Sequence, residues 1–447
     1  MKYHLIAVGG SIMHNLAIDL LDLGHIVTGS DDEIYEPSRS RLQEKGLLPD
    51  TMGWDISRIT TDIDVIILGK HARSDNPELA HAQKLGLRIL SFPEFVSHSN
   101  QAKHRIVVTG SHGKTTTTSM IMHVLRKLGY DFDYLVGAQL DGFDKMVRMS
   151  GSEILVVEGD EYPSSCLDNR AKMLHYDATI AIVTGVEWDH VNIYKTYQDY
   201  LSIFDTFLEK LPSGVNLYFD ISDSQLLDLV YDNAYKCTRV GYDALPTDKK
   251  GAIVANGNAY HIKVFGNHNL KNMHAAMLVC QELSIEPSTF LEAIASFSGA
   301  AKRLELIVDK EDKTVYKDFA HAPSKVKATA EAIREKYPKE KIGGIVELHT
   351  FSSLQMSFIK QYADTANSLD RLIVFFDPEA IAHKRMDKLD PNKVKQAFNH
   401  PNIVVCDNTE DLRKVMTALD EGHYEVILVM SSGNLGGIDP LDVFHAD

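Results

Sequence analysis

The stretch Arg105-Ile-Val-Val-Thr-Gly-Ser-His-Gly-Lys-Thr-Thr-Thr-Thr118 decides how the middle of the chain folds. Four of its first five residues are β-branched and predict a strand, and a glycine-rich turn then leads into an apolar-periodic helix. A strand, a glycine loop and a helix in this order aim backbone N–H groups at one point, where they bind a phosphate group. The sequence therefore predicts a phosphate-binding loop at residues 110–115.

The loop carries the side chains that a nucleoside triphosphate site needs. Lys114 is expected to reach the β- and γ-phosphates as a point charge, and the hydroxyl of Thr115 is expected to bind Mg²⁺. The strict form of the motif has glycine at position 108, where this chain has Val108, so the loop is a variant of the motif. The predicted ATP-binding residues of the loop are Gly110, Ser111, His112, Gly113, Lys114, Thr115 and Thr116.

Two further strands end in polar residues. An apolar strand at residues 154–158 runs into Glu158-Gly-Asp-Glu161, and a strand at residues 179–184 leads to Glu187-Trp-Asp-His190. The carboxyl ends of parallel strands form the ligand crevice of an open α/β sheet, so we expect both segments on the same edge as the glycine loop. Clustered carboxylates at a strand end are typical of Mg²⁺ sites, although a solvated acidic turn has the same pattern.

Strands alternate with helices along most of the chain, which predicts three α/β domains, each with a largely parallel sheet flanked by helices. We expect a Rossmann-like domain at residues 1–102, a P-loop ATPase domain at 103–299 and a second Rossmann-like domain at 300–447, with a polar linker at 97–104 and the third α/β unit starting near residue 301. The other predicted elements are strands at 4–8, 25–29, 65–69, 87–90, 315–318, 342–346, 372–376, 403–406 and 426–430, helices at 13–23, 272–283 and 324–336, and a hairpin within 253–265.

Composition excludes several classes of function. The chain has 447 residues, with 46 Lys and Arg against 62 Asp and Glu, so its net charge of −16 argues against a nucleic-acid partner. Apolar stretches are shorter than the ~18 residues that span a bilayer, and the first strand is too short for a signal peptide, so we expect a cytoplasmic protein without a membrane partner. The four cysteines lie far apart and indicate no metal or disulfide framework.

The first domain has an imperfect dinucleotide-binding pattern. Gly9 and Gly10 follow the first strand, and Asp31 follows about twenty residues on, at the end of the second. Ala7 and Ile12 stand where further glycines would be expected. The pattern favours a phosphate-bearing ligand of some kind over a nicotinamide cofactor, and an NAD-dependent oxidoreductase remains an alternative.

The ordered motifs together resemble the Mur ligase superfamily, and the resemblance covers nearly the whole chain. The segments that carry it are Thr109-Gly-Ser-His-Gly-Lys-Thr-Thr116, Glu158-Gly-Asp-Glu161, Glu187-Trp-Asp-His190, Gly266-Asn-His-Asn-Leu-Lys-Asn272, Lys302-Arg303 and Asp318-Phe-Ala-His-Ala-Pro323. The resemblance implies that an ATP- and Mg²⁺-dependent ligase forms an amide bond through an acyl-phosphate. It also implies that the first domain binds a UDP-sugar, the central domain binds ATP and the third binds an amino acid or peptide.

The resemblance also implies roles for individual residues. We expect Lys114, Glu158 and His190 to be catalytic, and Thr115, Glu158 and His190 to hold Mg²⁺. The other residues with expected roles are Asn269, Arg303 and Asp318 for ATP, Gly10, Ser11, Asp31, Ser74 and Asn76 for the UDP-substrate, and His321 and His349 as candidates for the amine substrate.

Segments of the chain resemble two kinds of family member, which differ in their amine substrate. The stretch Asp168-Asn-Arg-Ala-Lys-Met-Leu-His-Tyr176 is similar to members that join UDP-N-acetylmuramate to the tripeptide L-alanyl-γ-D-glutamyl-meso-diaminopimelate in cell-wall recycling. Leu348-His-Thr-Phe-Ser352 is similar to members that add L-alanine. We expect the tripeptide ligase. A folate–glutamate ligase and a catalytically silent nucleotide-binding regulatory protein are alternatives, and the oligomeric state stays open.

The chain departs from the family pattern at three positions. Ala7 and Ile12 replace glycines of the first loop, and Ala322 replaces the second of two paired histidines after Asp318. These departures bear on how the diphosphate and the amine substrate are held.

Overall fold

A computed structural model describes residues 1–100, 102–191, 193–249, 251–299 and 303–444. The chain folds into two compact units, the first made of Met1–Glu187, Leu201–Asp243 and Met273–Ile294, the second of Trp188–Tyr200, Ala244–Asn272 and Ala295–Asp447. Two large sheets lie in the first unit and one lies in the second, and most of their strands are parallel. The predicted fold class is confirmed, whereas the predicted domain boundaries stay a prediction.

The first sheet has four parallel strands in the order β2-β1-β3-β4. Its strands are β1 (Lys2–Ile6), β2 (Ile26–Ser30), β3 (Val65–Leu68) and β4 (Ile89–Ser91), and its helices are α1 (Ser11–Asp22), α2 (Ser38–Glu44), α3 (Pro77–Lys84) and α4 (Phe92–Ser99). Every residue of β3 is buried, as expected for an inner parallel strand covered on both faces.

The second sheet has seven strands in the order β11-β10-β9-β5-β8-β6-β7, and only the pairing of β6 with β7 is antiparallel among its described strands. Its strands are β5 (His104–Thr109), β6 (Asp133–Leu135), β7 (Val147–Arg148), β8 (Ile154–Glu158), β9 (Ile180–Val183), β10 (Asn216–Asp220) and β11 (Thr238–Tyr242). Its helices are α5 (Lys114–Lys127), α6 (Tyr197–Lys210), α7 (Ser224–Asp232), α8 (Asn267–Glu282) and α9 (Pro287–Ile294). The central strand β5 has β8 and β9 as neighbours, so the polar residues that follow these three strands share one edge.

The third sheet has six strands in the order β14-β15-β19-β16-β17-β18, and a separate hairpin precedes it. The hairpin is β12 (Ile253–Ala255) with β13 (Asn258–Tyr260); the sheet is β14 (Glu305–Asp309), β15 (Thr314–Asp318), β16 (Ile342–Glu347), β17 (Arg371–Phe375), β18 (Ile403–Cys406) and β19 (Val426–Met430). The helices are α10 (Pro323–Lys336), α11 (Met356–Ile359), α12 (Pro378–His383), α13 (Pro391–Phe398), α14 (Thr409–Glu421) and α15 (Leu441–Phe444). Only β14 runs antiparallel to its neighbour among the described strands of the sheet.

Helix α1 of the first sheet is hydrogen-bonded to the segment around β7 of the second. The buried carboxylate of Asp19 accepts the backbone N–H of Met149 at 2.8 Å and pairs with the ammonium of Lys145 at 2.6 Å. The side-chain oxygen of Asn15, also buried, accepts the N–H of Met146 at 3.0 Å. Within the first unit, these bonds fix the first sheet's main helix to the second sheet.

Two sequence-based expectations for local structure were wrong. Helix α8 begins at Asn267 and not at residue 272, so part of the asparagine-rich family motif forms its first turn. Helix α4 extends to Ser99 from a capping box at Ser91, so the linker is shorter than the polar run suggested. The polar terminal turn of a helix has the same composition as a turn or a linker, which explains both errors. The hairpin expected within residues 253–265 is present, and its second strand ends at Tyr260.

Some strands were not predicted, and two expected features lie outside the described residues. Strands β6, β7, β10, β11 and β14 were not predicted. The expected start of the third α/β unit near residue 301, and Lys302 of the quoted motif, lie outside the described residues. None of the helices in the described part of the chain has both the length and the apolar character needed to cross a bilayer.

Candidate active site

The glycine loop after β5 has a backbone conformation that other residues rarely adopt. Gly110 has φ of +123°, and a Cβ built on it would lie 2.7 Å from the backbone nitrogen of Thr184, which a side chain cannot tolerate. Gly113, with φ of +81°, caps the start of α5. The N–H of Ser111 donates to the carbonyl of Gly185 at 2.9 Å, so the end of β9 supports the loop.

The loop also contains a polar group that has no protein partner. The hydroxyl of Ser111 is buried and has no hydrogen-bond partner among the described residues. A buried hydroxyl without a partner is costly, and a phosphate oxygen would remove that cost. This hydroxyl and the glycine conformations fit a bound phosphate chain, as the sequence predicted.

Lys114 forms a buried ion pair with a residue that received no role from the sequence. Its ammonium lies 2.8 and 3.1 Å from the two carboxylate oxygens of Glu161, which is fully buried. Burial opposes the charged form, but the carboxylates of Glu161, Asp160 and Glu158 outweigh it and raise the pKa of Lys114. Lys114 is therefore a permanent cation at the loop. Glu161 was visible in the acidic motif, but only the fold shows which acid contacts the lysine.

Two oxygen-bearing side chains lie next to the loop where a divalent cation would bind. The hydroxyl of Thr115 donates to the carboxylate of Glu158 at 2.9 Å, and the other oxygen of Glu158 accepts the N–H of Gly137 at 2.7 Å. Mg²⁺ prefers hard oxygen ligands such as these, so the pair fits the predicted ion. The structure thus brings two of the three predicted metal ligands together.

The remaining loop residues are held by the protein. His112 pairs through Nε2 with Glu187 at 3.0 Å, and its carbonyl accepts a hydrogen bond from the hydroxyl of Thr184. Thr116 is buried in the first turn of α5. The protein's own bonds therefore hold the shape of the loop, which lowers the entropy cost of binding.

In the first sheet, Asp31 has a structural partner. Its buried carboxylate accepts the N–H of Gly9 at 2.7 Å, which holds the glycine turn after β1. Burial and the neighbouring Asp32 raise the pKa of Asp31 to about 6, against the effect of the Gly9 N–H. Ala7 occupies the left-handed region with φ of +66°, a conformation that glycine adopts without strain. The alanine at this position therefore carries backbone strain that glycine would not.

The other expected UDP-substrate residues lie at the same edge of the first sheet or in its loops. Gly10 is the N-cap of α1, and Ser11 begins that helix with an exposed side chain. Ser74 is exposed in the loop before α3. Asn76 is buried and caps α3, its side-chain oxygen accepting the N–H of Leu79 at 3.0 Å. A capping role explains Asn76 without a ligand.

In the second unit, Asn269 and Asp318 also bond the backbone. The amide of Asn269 donates to the carbonyl of Phe265 at 2.8 Å. The buried carboxylate of Asp318 accepts the N–H groups of Leu304 and Ala320, each at 2.7 Å. Burial raises the pKa of Asp318, although Arg303 opposes the shift. The two bonds to Asp318 hold the residue that precedes β14 and the segment that follows β15.

The histidines of the second unit have distinct surroundings. His190 has φ of +55°, and its N–H donates to Asp189 at 2.7 Å. Asp189 lies 3.6 Å from the ammonium of Lys325. The ring of His321 bonds the carbonyl of Phe319 through Nδ1 at 2.8 Å, and burial together with Lys325 lowers the pKa of His321 to about 3. His321 is therefore a neutral ring at neutral pH and a weak proton acceptor.

A buried acid lies at the carboxyl end of β16, beside His349. Glu347 accepts a hydrogen bond from the hydroxyl of Ser431, at the end of β19, and the N–H of Leu435 at 3.2 Å. The Nδ1 atom of His349 lies 3.8 Å from Glu347. Burial and Lys384 lower the pKa of His349, while Glu347 opposes them. The sequence analysis named His349 but not Glu347. The only sequence signal for Glu347 is its position at the end of a predicted strand.

Comparisons with known proteins agree with this arrangement. The model of the Mur ligase family catalytic domain matches residues 2–104, the Mur ligase middle domain matches residues 108–280, and the Mur ligase glutamate ligase domain matches residues 302–433. The three models follow one another along the chain in the order of the three sheets.

Relatives cover nearly the whole chain. A UDP-N-acetylmuramate–L-alanine ligase of Caldicellulosiruptor saccharolyticus is 32% identical over 83% of each chain. A UDP-N-acetylmuramate–L-alanyl-γ-D-glutamyl-meso-2,6-diaminoheptandioate ligase of Haemophilus influenzae is 28% identical over 98% of each chain. The crystal structure of a murein peptide ligase from Psychrobacter arcticus has the same fold, with a TM-score of 0.67 at 21% identity over 100% of this chain and 99% of that one. The chain belongs to the Mur ligase family, whose members are ATP-dependent amide-bond ligases.

Proposed function

We propose that this chain joins UDP-N-acetylmuramate to the amino group of L-alanyl-γ-D-glutamyl-meso-diaminopimelate, in the cytoplasm and in recycling of cell-wall peptides. The observation that carries the chemistry is the cluster at the ends of β5 and β8, where Lys114, Thr115 and Glu158 lie beside a pre-shaped phosphate loop. A carboxylate is a poor electrophile, so its oxygen must first attack the γ-phosphorus of ATP. ADP then leaves with the electron pair of the broken bond. The amine attacks the carbonyl carbon of the acyl-phosphate, the C–O bond to the phosphate breaks, inorganic phosphate leaves, and the nitrogen gives up a proton to phosphate or solvent.

Each residue of the cluster has a role in that scheme. Lys114 neutralises the β- and γ-phosphates, where negative charge crowds as the phosphoryl group moves. Thr115 and Glu158 would hold Mg²⁺, which supplies further charge neutralisation at the phosphates. We assign His190 as a third ligand, and Asn269, Arg303 and Asp318 to the nucleotide, on the family motifs that they belong to.

The choice of amine substrate rests on two observations. The segment from Asp168 to Tyr176 is similar to that of tripeptide ligases, and a relative named for that tripeptide matches over 98% of this chain. L-Alanine is the second candidate, because the segment around His349 is similar to that of alanine-adding enzymes and several relatives carry that name. We propose that His321 and His349 contact the amine substrate as neutral rings.

The test is ATP-dependent phosphate release with UDP-N-acetylmuramate, with the tripeptide and L-alanine compared as amines. We expect turnover with the tripeptide and little with L-alanine. Lys114→Ala should be slower by about 10²-fold, since a few kcal/mol of transition-state stabilisation is lost. Turnover with L-alanine alone would contradict the tripeptide assignment, and no release with either amine would favour a silent nucleotide-binding protein.

A further inference from the structure

Lys70 is a buried cation that the proposed chemistry does not yet use. It lies two residues beyond the end of β3, and its Nζ atom is buried without a hydrogen-bond partner among the residues that the structure describes. The ammonium lies 3.4 Å from the ring centroid of Tyr162. A cation–π contact is favourable but does not replace the three hydrogen bonds that an ammonium can donate. The side chain therefore has unused capacity for an anion.

Burial and a neighbouring cation disfavour the charged form of Lys70, and a bound anion would stabilise it. Burial and the nearby cation of Lys172 lower the pKa of Lys70 to about 8, while Asp160 opposes the shift. Asp160 is itself engaged by Lys172 at 2.6 Å. Asp160 is therefore bonded to Lys172, whereas the ammonium of Lys70 makes no hydrogen bond to it and could accept the carboxylate of a ligand.

The position of Lys70 indicates which anion would reach it. Lys70 follows the carboxyl end of β3, at the edge of the first sheet where parallel sheets bind ligands. Tyr162 follows the carboxyl end of β8, and the residue before it, Glu161, is paired with Lys114 of the phosphate loop. A ligand held by the first sheet and directed toward the loop would therefore present its reacting end near Lys70.

We propose that Lys70 receives the carboxylate of the sugar-linked acid and holds it for attack on the terminal phosphate of ATP. This inference rests on the proposed function, because that function supplies the acid. Neutralising the carboxylate would reduce its repulsion from the triphosphate. The carboxylate oxygen forms the new bond to phosphorus, the bond to the ADP oxygen breaks, and no proton needs to move. Lys70 acts as a substrate-binding group and gives preference for a ligand that carries this acid.

Isothermal titration with two UDP-sugars tests the assignment, in the presence of Mg²⁺ and a non-hydrolysable ATP analogue. UDP-N-acetylglucosamine lacks the carboxylate of UDP-N-acetylmuramate but shares its uridine diphosphate. The wild-type protein should prefer UDP-N-acetylmuramate by about 10-fold or more, the contribution expected of one charge-assisted hydrogen bond. Lys70→Met should abolish this preference by weakening only UDP-N-acetylmuramate. Lys84→Met, which removes an exposed cation from α3, is the matched control and should change neither affinity.

Other titration results would overturn either the assignment of Lys70 or the proposed function. Equal weakening of both ligands by Lys70→Met would mean that the lysine contacts the shared diphosphate, and would overturn the proposal. Unchanged binding of both, with a lowered melting temperature, would mean that Lys70 only packs on Tyr162. A wild-type protein that binds neither ligand would overturn the proposed function itself. If Lys70→Met does not fold, Lys70→Gln, which is neutral but polar, should give the same loss of preference.

Discussion

The ammonium of Lys114, at the end of the glycine loop, lies 2.8 Å from the carboxylate of Glu161. Glu161 is fully buried, so its charge is stabilised chiefly by its neighbours. A triphosphate brings negative charge to the same lysine. Protein carboxylate and phosphate therefore compete for one cation, and the energy of the pair bears directly on nucleotide binding.

Glu161→Gln should make the protein more dependent on nucleotide for stability. Without nucleotide, the free energy of unfolding should fall by about 2–4 kcal/mol, because a buried cation loses its nearest partner. A bound triphosphate supplies the missing charge, so the melting temperature should rise more on adding the Mg²⁺ complex of an ATP analogue than it does in the wild-type protein. Thermal unfolding with and without the analogue measures both. Glu209→Gln, on the exposed end of α6, is the control, and an equal rise in all three proteins would contradict the prediction.

Thr115→Val should raise the Mg²⁺ concentration needed for half-maximal activity. The change keeps the shape of the side chain but removes the hydroxyl that lies 2.9 Å from Glu158. The loss of one oxygen ligand should weaken the ion by roughly 10-fold or more. Thr117→Val is a matched control in the same helix, since its hydroxyl is buried without a partner among the described residues, and its removal should be neutral or stabilising. A Mg²⁺ titration that is identical for both variants would argue against the metal assignment.

Ala7→Gly should leave stability within about 0.5 kcal/mol of the wild-type value, whereas Ala17→Gly should cost about 1–2 kcal/mol. Both alanines are buried, so both variants lose a packed methyl group. Ala7 has φ of +66°, where glycine relieves a strain that offsets the loss. Ala17 lies within α1, where glycine adds only cost. Urea unfolding compares the two, and equal losses would show that the turn at Ala7 stores no strain.

His321→Gln should flatten the acid limb of the stability curve. The folded pKa of His321, about 3, lies below the value of about 6.5 expected for the unfolded chain. Its neutral ring therefore contributes stability that is full above pH 6.5 and is lost as the pH falls toward 3. The variant should lose less stability than the wild-type protein between pH 6.5 and 4. His261→Gln, at an exposed loop position, should follow the wild-type curve; a parallel fall in all three would contradict the assignment.

Much of the architecture could be predicted because apolar runs bounded by polar residues identify strands. Strands β8, β18 and β19 have the predicted limits. Strands β6 and β7 were missed because they are three and two residues long and owe their pairing to the rest of the sheet. The phosphate loop was predictable because its chemistry is local: the strand, the glycines and the lysine are adjacent in sequence.

Residues whose surroundings come from distant segments could not be predicted. The motif placed Glu161 among several acids, but its contact with Lys114 depends on the register of β5 with β8. Lys70 belongs to no motif, and its contact with Tyr162, which follows a strand of another sheet, is not visible in the sequence. The roles expected for the site residues of the second unit stay predictions. A helix-capping asparagine and a ligand-binding asparagine look alike in sequence, so the capping bond of Asn76 could not be predicted.

The bonds from Asn15 and Asp19 to residues 145–149 have a practical consequence for dissecting this enzyme. A fragment that starts at residue 103 would leave the ammonium of Lys145 and the N–H groups of Met146 and Met149 without their acceptors, and would expose the apolar surface that α1 covers. The first and second sheets should therefore unfold in a single cooperative transition, and expression of residues 103–299 alone should yield an unstable polypeptide.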